Sequence, residues 1–352
     1  MINSNYSQVL PRTSSSDYPG QHLLSNPYTA AIDIRQLSFG DDFDKTVYLY
    51  NTGSLAEWSA QTGSGENPGQ YISSTLETAG SGGIPWQIPS MQGFLIKIIN
   101  PTPTSTLFEI PYSSVITKNV TKQRTKASKS TAEKIYTRID VAGTRYTDKM
   151  WIFTDPTCTR GFDNGWDGEK LSGSTLAPQL WAMETVGNYQ IDAVGDINNT
   201  ELGFTRGEDT NYKLTFTHQN LYAQYSALYL IDLQTNSVTD ITQSGTQYSF
   251  TATATSPTKR FKIVTSPGIS TGLDANLNNR LKIYSFEKTI YINNATDETG
   301  DVTIYDVAGR MIEKIRYNPN SVTTTNTHLA AGSYVAKSHT TGVEHSDCLI
   351  IK

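Results

Sequence analysis

DVTIYDVAGRMIEKIRYNPNSVTTTNTHLAAGSYVAKSHTTGVEHSDCLIIK, residues Asp301 to Lys352, carries the period-two pattern that decides the fold. Val302, Ile304 and Asp306 alternate with Thr303, Tyr305 and Val307, as a strand with one buried face requires, because successive side chains of an extended chain point to opposite sides. Ala308-Gly309 interrupts the run and Arg310 to Ile315 resumes it, so the two are expected to form a hairpin turned at the glycine. After a polar Asn/Thr spacer, Leu329, Gly332, Tyr334 and Val335 mark a further strand, and Cys348 to Ile351 the closing one.

These residues resemble a known family. A first strand ending in Ile304-Tyr305-Asp306, a Gly309-Arg310 turn, the Leu329 to Tyr334 strand and a closing Ile350 to Lys352 strand look like the type A C-terminal sorting domain that the type IX (Por) secretion system of Bacteroidetes reads. The resemblance implies a secreted or cell-surface protein whose last module meets the secretion machinery and serves for export or surface attachment.

The totals agree with an all-β chain. At 352 residues it exceeds what one core usually fills, so two or three domains are expected. Charged residues are only 17%, while 26 glycines and 20 tyrosines accompany abundant Ser, Thr and Asn, a balance that favours strands and turns over helices. A net charge of -5 supplies no basic field for a phosphate backbone, which argues against nucleic acid as a partner. The two cysteines, Cys158 and Cys348, would have to bridge different predicted domains and are read as independent thiols. No apolar run reaches the length of a membrane span, and Met1 to Leu10 lacks the basic and apolar regions of a signal peptide. A surface destination without an export signal implies a C-terminal piece of a longer polypeptide.

Taken in order, residues 1–20 read as a flexible lead and 21–117 as a first β domain, with strands around Thr46 to Tyr50, Gln70 to Ile72 and Met91 to Ile99, the last continuous enough to be buried on both faces. Residues 118–134, with Lys118, Lys122, Arg124, Lys126, Lys129 and Lys134 against Glu133, read as a solvated basic linker, the functional alternative being a contact for anionic glycans or surface charge. Residues 135–266 carry short strands at turn-separated intervals, the pattern of an antiparallel sandwich or jelly roll. Residues 267–279 read as a second linker and 280–352 as a small Ig-like sandwich. Ser25 to Tyr28, Ile88 to Phe94, Gly161 to Leu171 and Leu228 to Ile241 also resemble modules that recur upstream of sorting domains in large, adhesin-like Bacteroidetes surface proteins.

Little in the chain spells catalysis. Gly268-Ile269-Ser270-Thr271-Gly272 matches a nucleophile elbow, but a linker and a strand follow it where the elbow needs a helix. The five histidines have no spacing that a zinc site or a base-orienter pair demands. Asp163-Asn164-Gly165-Trp166-Asp167-Gly168-Glu169 is the strongest chemical candidate, because clustered oxygens suit Ca²⁺; Asp163, Asp167 and Glu169 are the candidate ligands. EF-hand spacing fails there, since Gly165 stands at a ligand position and Ser174 where the bidentate Glu belongs. A turn whose Asp and Asn side chains bond their own backbone is the plainer reading. Trp166 and Asn164 are the candidate ligand-binding residues of a carbohydrate-binding alternative, in which aromatic planes stack on sugar faces. The expectation is thus an all-β chain of tandem jelly-roll-like sandwiches ending in an Ig-like module. Its expected role is non-catalytic, extracellular or at the outer-membrane surface, in adhesion or surface structure. The expected partners are a surface glycan or a host or bacterial surface protein.

Overall fold

The computed structural model describes residues 3–12, 18–51, 69–102, 105–117, 134–266, 281–286, 288–294, 298–319, 321–340 and 343–351. The basic cluster apart from Lys134, the Gly268 to Gly272 motif and Trp58 lie outside them. The chain divides into two compact units, residues 1–266 and 267–352. Among the described residues every regular element is a strand or a single 3-10 turn, as the composition predicted.

The first unit begins with β1 (Tyr6–Pro11), β2 (Gln21–Ser25), β3 (Ile32–Asp33), β4 (Thr46–Asn51), β5 (Gln70–Thr75), β6 (Gln87–Ile88), β7 (Gly93–Lys97) and β8 (Ser105–Ile110). They pair as β2-β7-β4-β5, β1-β8 and β3-β6. Phe108 is central to the core, with the rings of Phe39, Phe43 and Phe94 at 5.9, 5.6 and 6.4 Å. Residues 1–20 are not simply a flexible lead. Tyr6 to Pro11 pairs residue for residue with Ile110 to Ser105, and Leu10 is buried in the same core, so one apolar side chain and a ladder of main-chain bonds hold a segment whose composition reads as loop. The strand around Met91 is shorter than the apolar run suggested. β7 spans Gly93–Lys97 and alternates, with Phe94 and Ile96 buried, and Met91 is exposed in the preceding turn. The Asn26-Pro27 turn is held by a buried amide: Asn26 Nδ2 lies 2.9 to 3.0 Å from the carbonyls of Ala30, Ile88 and Pro89, and Oδ1 accepts from Tyr28 N.

The chain continues through β9 (Ile135–Ala142), β10 (Thr147–Thr154), β11 (Gly168–Glu169), β12 (Gln179–Glu184), β13 (Gly187–Val194), β14 (Thr200–Thr205), β15 (Asn211–Gln219), β16 (Tyr229–Asp232), β17 (Ser237–Asp240), β18 (Gln247–Thr251) and β19 (Lys259–Val264). These form one sheet in the order β17-β16-β19-β14-β12-β13-β10-β9-β15-β18, with β11 on β13. One junction departs from the antiparallel expectation: Trp151 to Thr154 of β10 runs parallel to Ile191 to Val194 of β13. The sheet curls until its two ends meet over a shared core. Phe250 of β18 stacks edge-on to Phe204 of β14 and Phe261 of β19 at 5.0 and 4.9 Å, and Tyr248 Oη donates to Asp232 Oδ2 of β16 at 2.8 Å. The residues expected as two domains, 21–117 and 135–266, fall within one compact unit.

A bulge makes that closure. Leu202 faces Phe261 and Gly203 faces Lys259, so Arg260 is the extra residue, and its side chain turns inward beside that of Phe261. Arg260 is 1% exposed, with Nη2 2.8 Å from Asp232 Oδ2 and the guanidinium over the Phe250 and Phe261 rings at 5.2 and 5.4 Å. Its Nε and Nη1 have no hydrogen-bond partner, so the aromatic faces are what receive the rest of the cation.

The second unit comprises β20 (Leu281–Phe286), β21 (Thr289–Asn294), β22 (Gly300–Tyr305), β23 (Met311–Tyr317), β24 (Ser321–Asn326), β25 (Gly332–Thr340) and β26 (Val343–Ile351). Sheets β20-β21-β24 and β23-β22-β25-β26 enclose Ile283, Ile290, Ile292, Val302, Ile304, Tyr317, Leu349 and their neighbours. The hairpin expected at Gly309 forms between β22 and β23. Asp306 organises it, accepting from Ala308 N and Arg310 N through Oδ1 and from Arg310 Nε through Oδ2, while Gly309 takes a positive φ of 77° that suits glycine. These bonds from Arg310 hold the Asp306 carboxyl below its ordinary range.

Removing Arg260 alone strands a buried carboxylate. Arg260→Met is expected to lower unfolding free energy by about 3 kcal/mol, and the double variant Arg260→Met/Asp232→Leu to recover most of it. Chemical denaturation checks both, and equal losses in the two variants would contradict the account.

Candidate functional site

The Asp163 to Glu169 loop lies at a seam between the two halves of the first unit, and its side chains and backbone reach strands on both sides. Asn164 acts as a two-ended amide. Its Oδ1 accepts from Lys45 N at 2.8 Å and its Nδ2 donates to Phe43 O at 2.9 Å. Gly165, at φ 98°, presents its carbonyl to Glu77 N at 3.0 Å. Thr46 Oγ1 donates to Asp167 O and Ser73 Oγ to Glu169 O. The Glu169 carboxylate receives Lys97 Nζ on both oxygens at 2.7 Å. Gln190 of β13 adds a second amide staple, accepting from Ser73 N and donating to Tyr71 O and Lys149 O.

An apolar cluster underlies these bonds. Ile84 and Ile72 from the first half pack with Tyr136, Trp151, Phe153, Ile191, Ala193 and Trp166 from the second. Trp151 Nε1 donates to Gly82 O at 2.9 Å. Gly82 has φ 58°, and a Cβ there would stand 2.9 Å from the indole nitrogen, so this contact demands glycine twice over.

The candidate carboxyls are engaged locally. Asp163 Oδ2 accepts from Thr159 N and Thr159 Oγ1. Asp167, with no exposed surface, accepts from Asp163 N and Ala193 N, each at 2.7 Å. Glu169 faces away, toward Lys97. Among the described residues no group of three His, Cys, Asp or Glu side chains is gathered as a metal would need. Trp166 is half-buried beneath Lys134 Nζ, 4.4 Å from its ring centre, and that ammonium also donates to Glu77 O. Burial lowers the Lys134 pKa. Trp151 and Trp181 are buried, and Trp86 lies under Arg35 at 4.7 Å. Cys158 is buried and its thiol pushed up to about 12, mainly by burial and then by the Asp163 and Asp155 carboxylates, so it is inert as a nucleophile.

Reading the motif alone misses a second set of acids at the seam. Asp44, also buried, accepts from Tyr48 Oη at 2.6 Å through Oδ2 and leaves Oδ1 without a partner. Burial pushes it up to about 6 despite the hydrogen bonds of Thr46 and Tyr48 and the nearby Lys97. Asp167 is pushed up to about 7, since burial outweighs its two amide donors and the Asp163 and Glu184 carboxylates add to it. Asp192, 1% exposed, has Oδ2 unpartnered; burial holds its pKa well above the ordinary value, with Asp167 and Glu184 adding and Arg160 opposing. The available signal is an acid inside a strand that is otherwise apolar, as in Tyr189-Gln190-Ile191-Asp192-Ala193-Val194.

The model of a family described as a domain of unknown function, DUF8693, matches residues 3–264, a stretch that coincides with the first compact unit. The minor fimbrium subunit Mfa5 of Porphyromonas gingivalis is 34% identical over 346 residues, covering 93% of this chain and so reaching into the second unit. This chain spans 27% of the length of that relative.

Two outcomes follow from the seam. Asn164→Ala strands Lys45 N and Phe43 O and is expected to cost about 1–3 kcal/mol in denaturant unfolding. For pH, carboxyls raised in the folded state bind protons more tightly than in the unfolded chain. Their stabilisation is therefore complete below the ordinary value of 3.8 and is lost as pH rises through about 6 for Asp44 and about 7 for Asp167. The thermal midpoint should fall across that window. Asp44→Asn keeps an acceptor for Tyr48 and should flatten the fall, and Asp192→Asn should raise the midpoint at alkaline pH; calorimetry across the pH series checks both.

Proposed function

We propose, from the premise that this chain belongs to the DUF8693 family, that it is a non-catalytic part of a cell-surface protein, working in surface structure and adhesion and assembling with other surface proteins. The observation that carries this reading is the 34% identity to a fimbrial subunit along nearly the whole chain. The chemistry of the seam agrees with it. Its polar groups are spent on holding two halves together, with Asn164 and Gln190 bonded at both ends of their amides and Glu169 bonded to Lys97. Among the described residues no helix is long and apolar enough to cross a membrane.

The second unit is, in the same reading, an address or attachment module. Its own core and the family resemblance of Ile304 to Asp306, Gly309-Arg310 and Leu329 to Tyr334 support that role. The secretion machinery is then its partner during export, and the extracellular face of the outer membrane its destination.

Deleting residues 267–352 tests both parts. The remaining unit is expected to unfold with the same midpoint, because the described residues of its core clusters all belong to that unit. Immunogold labelling of intact cells should find the full chain on the surface and the truncated one absent from it. Truncated protein displayed at the normal level would refute the address, and full-length protein found only inside the cell would refute the surface role.

A further inference from the structure

Trp166, expected as a sugar platform, is covered by Lys134, whereas Tyr222 is among the exposed tyrosines and stands beside a cleft. Tyr222 is 64% exposed and stands in the 3-10 turn Leu221–Ala223 of the first unit. Two neighbours hold it outward. Leu221 is anchored in the sandwich core, and Asn220 takes a left-handed backbone, φ 55° and ψ 24°, which asparagine tolerates better than most residues.

Beside the ring opens a cleft of about 700 Å³, lined by His218, Asn220, Tyr222, Thr242, Gln243 and Ser244 among others. Among the described residues that line it there is no Asp, Glu, Lys or Arg. His218 has both ring nitrogens engaged, with Thr137 Oγ1 at 3.0 Å and Ile241 O at 2.6 Å, and burial lowers its pKa, so it is neutral at physiological pH. Polar capacity is nevertheless present and oriented. Gln243 Nε2 donates to Tyr222 Oη at 2.9 Å, which fixes the phenol and leaves its proton and the Gln243 carbonyl to face a ligand. Ser244 Oγ accepts from His218 N and keeps its own proton to donate.

An exposed aromatic face, two hydroxyl donors and an amide acceptor around a cleft whose described lining is uncharged match the chemistry of a pyranose, whose C–H face stacks on a ring while its hydroxyls exchange hydrogen bonds at the rim. We propose that the cleft beside Tyr222 binds a neutral saccharide, with the Tyr222 ring as stacking surface and Gln243 and Ser244 as hydrogen-bonding partners. The site is distinct from the Trp166 loop, and it stands whether or not the chain assembles with other surface proteins.

Saturation-transfer NMR on the full chain with lactose, maltose, cellobiose and mannobiose at millimolar concentration tests this. At least one sugar is expected to receive saturation at its ring protons. Tyr222→Ala should weaken that binding about tenfold, and Tyr222→Phe, which keeps the ring, should weaken it less. Tyr222 is exposed, so an unchanged thermal midpoint will show that the variants remain folded. No transfer to any of the four sugars, or transfer that Tyr222→Ala leaves unaltered, overturns the proposal.

Discussion

The first unit depends on a peptide segment of seven residues, Asp163 to Glu169, that has no regular structure of its own beyond a two-residue strand. It is fastened on one side to β4 and β5 and on the other to β13, through Asn164, the Gly165 carbonyl, Thr46, Ser73 and the amide of Ala193. Nearly every one of these bonds ends on a main-chain group. That matters physically, because the facing strand edges carry N–H and C=O groups that burial would otherwise leave unpaired, at a cost of about 1–3 kcal/mol each. Clustered Asp, Asn and Gly in the motif are therefore what a buried irregular segment needs: short acceptors, a two-ended amide, and a residue free to take positive φ. The apolar layer of Ile84, Trp151, Phe153 and Ile191 beneath it supplies the burial that keeps water from competing for those bonds.

Buried charge is the recurring tension of this fold. Asp232 and Arg260 are resolved as a pair, with the cation's remaining surface placed on aromatic faces and the bulge at Arg260 turning it inward. Lys170 and Asp148, both nearly inaccessible, are resolved the same way at 2.5 Å, with Leu180 N as a further donor. Asp44 and Asp192 are not fully resolved, since each keeps one oxygen without a partner. Protonation is the cheaper state for such a group, and it makes the seam more sensitive to pH than the rest of the unit. Surface pairs such as Lys314 with Asp301 contribute little by comparison, because water screens them.

The second unit is simpler. Two sheets enclose a small aliphatic core, and they are also joined where β20 meets β26, through Ile283 N on Asp347 Oδ2 and the paired bonds of Ser285 with Ile350. Its polar outlay goes into turns, above all the Asp306 side chain, which closes the β22–β23 hairpin by accepting from Ala308 N, Arg310 N and Arg310 Nε.

The sequence by itself determined the class of the fold and most strands of the second unit, although Ser321–Asn326, read as a polar spacer, is β24 and pairs with β21. Period-two alternation in Val302 to Tyr305 and the turn at Gly309 are local properties, set by which side chains can share one face and which residue accepts positive φ. It also singled out Asp163 to Glu169, although it could not say that the Asn164 and Asp167 side chains would bond to the backbone of Phe43, Lys45 and Ala193, more than a hundred positions upstream or some twenty-five downstream. Tertiary structure alone decided that the N-terminal segment is a strand, that residues up to 266 form one unit, that β10 and β13 run parallel, and that Asp44, Asp192 and Arg260 are buried. The reason is the same in each case. Pairing partners, burial and protonation are properties of surfaces that meet only after the chain has closed on itself, and no window of neighbouring residues contains both of them.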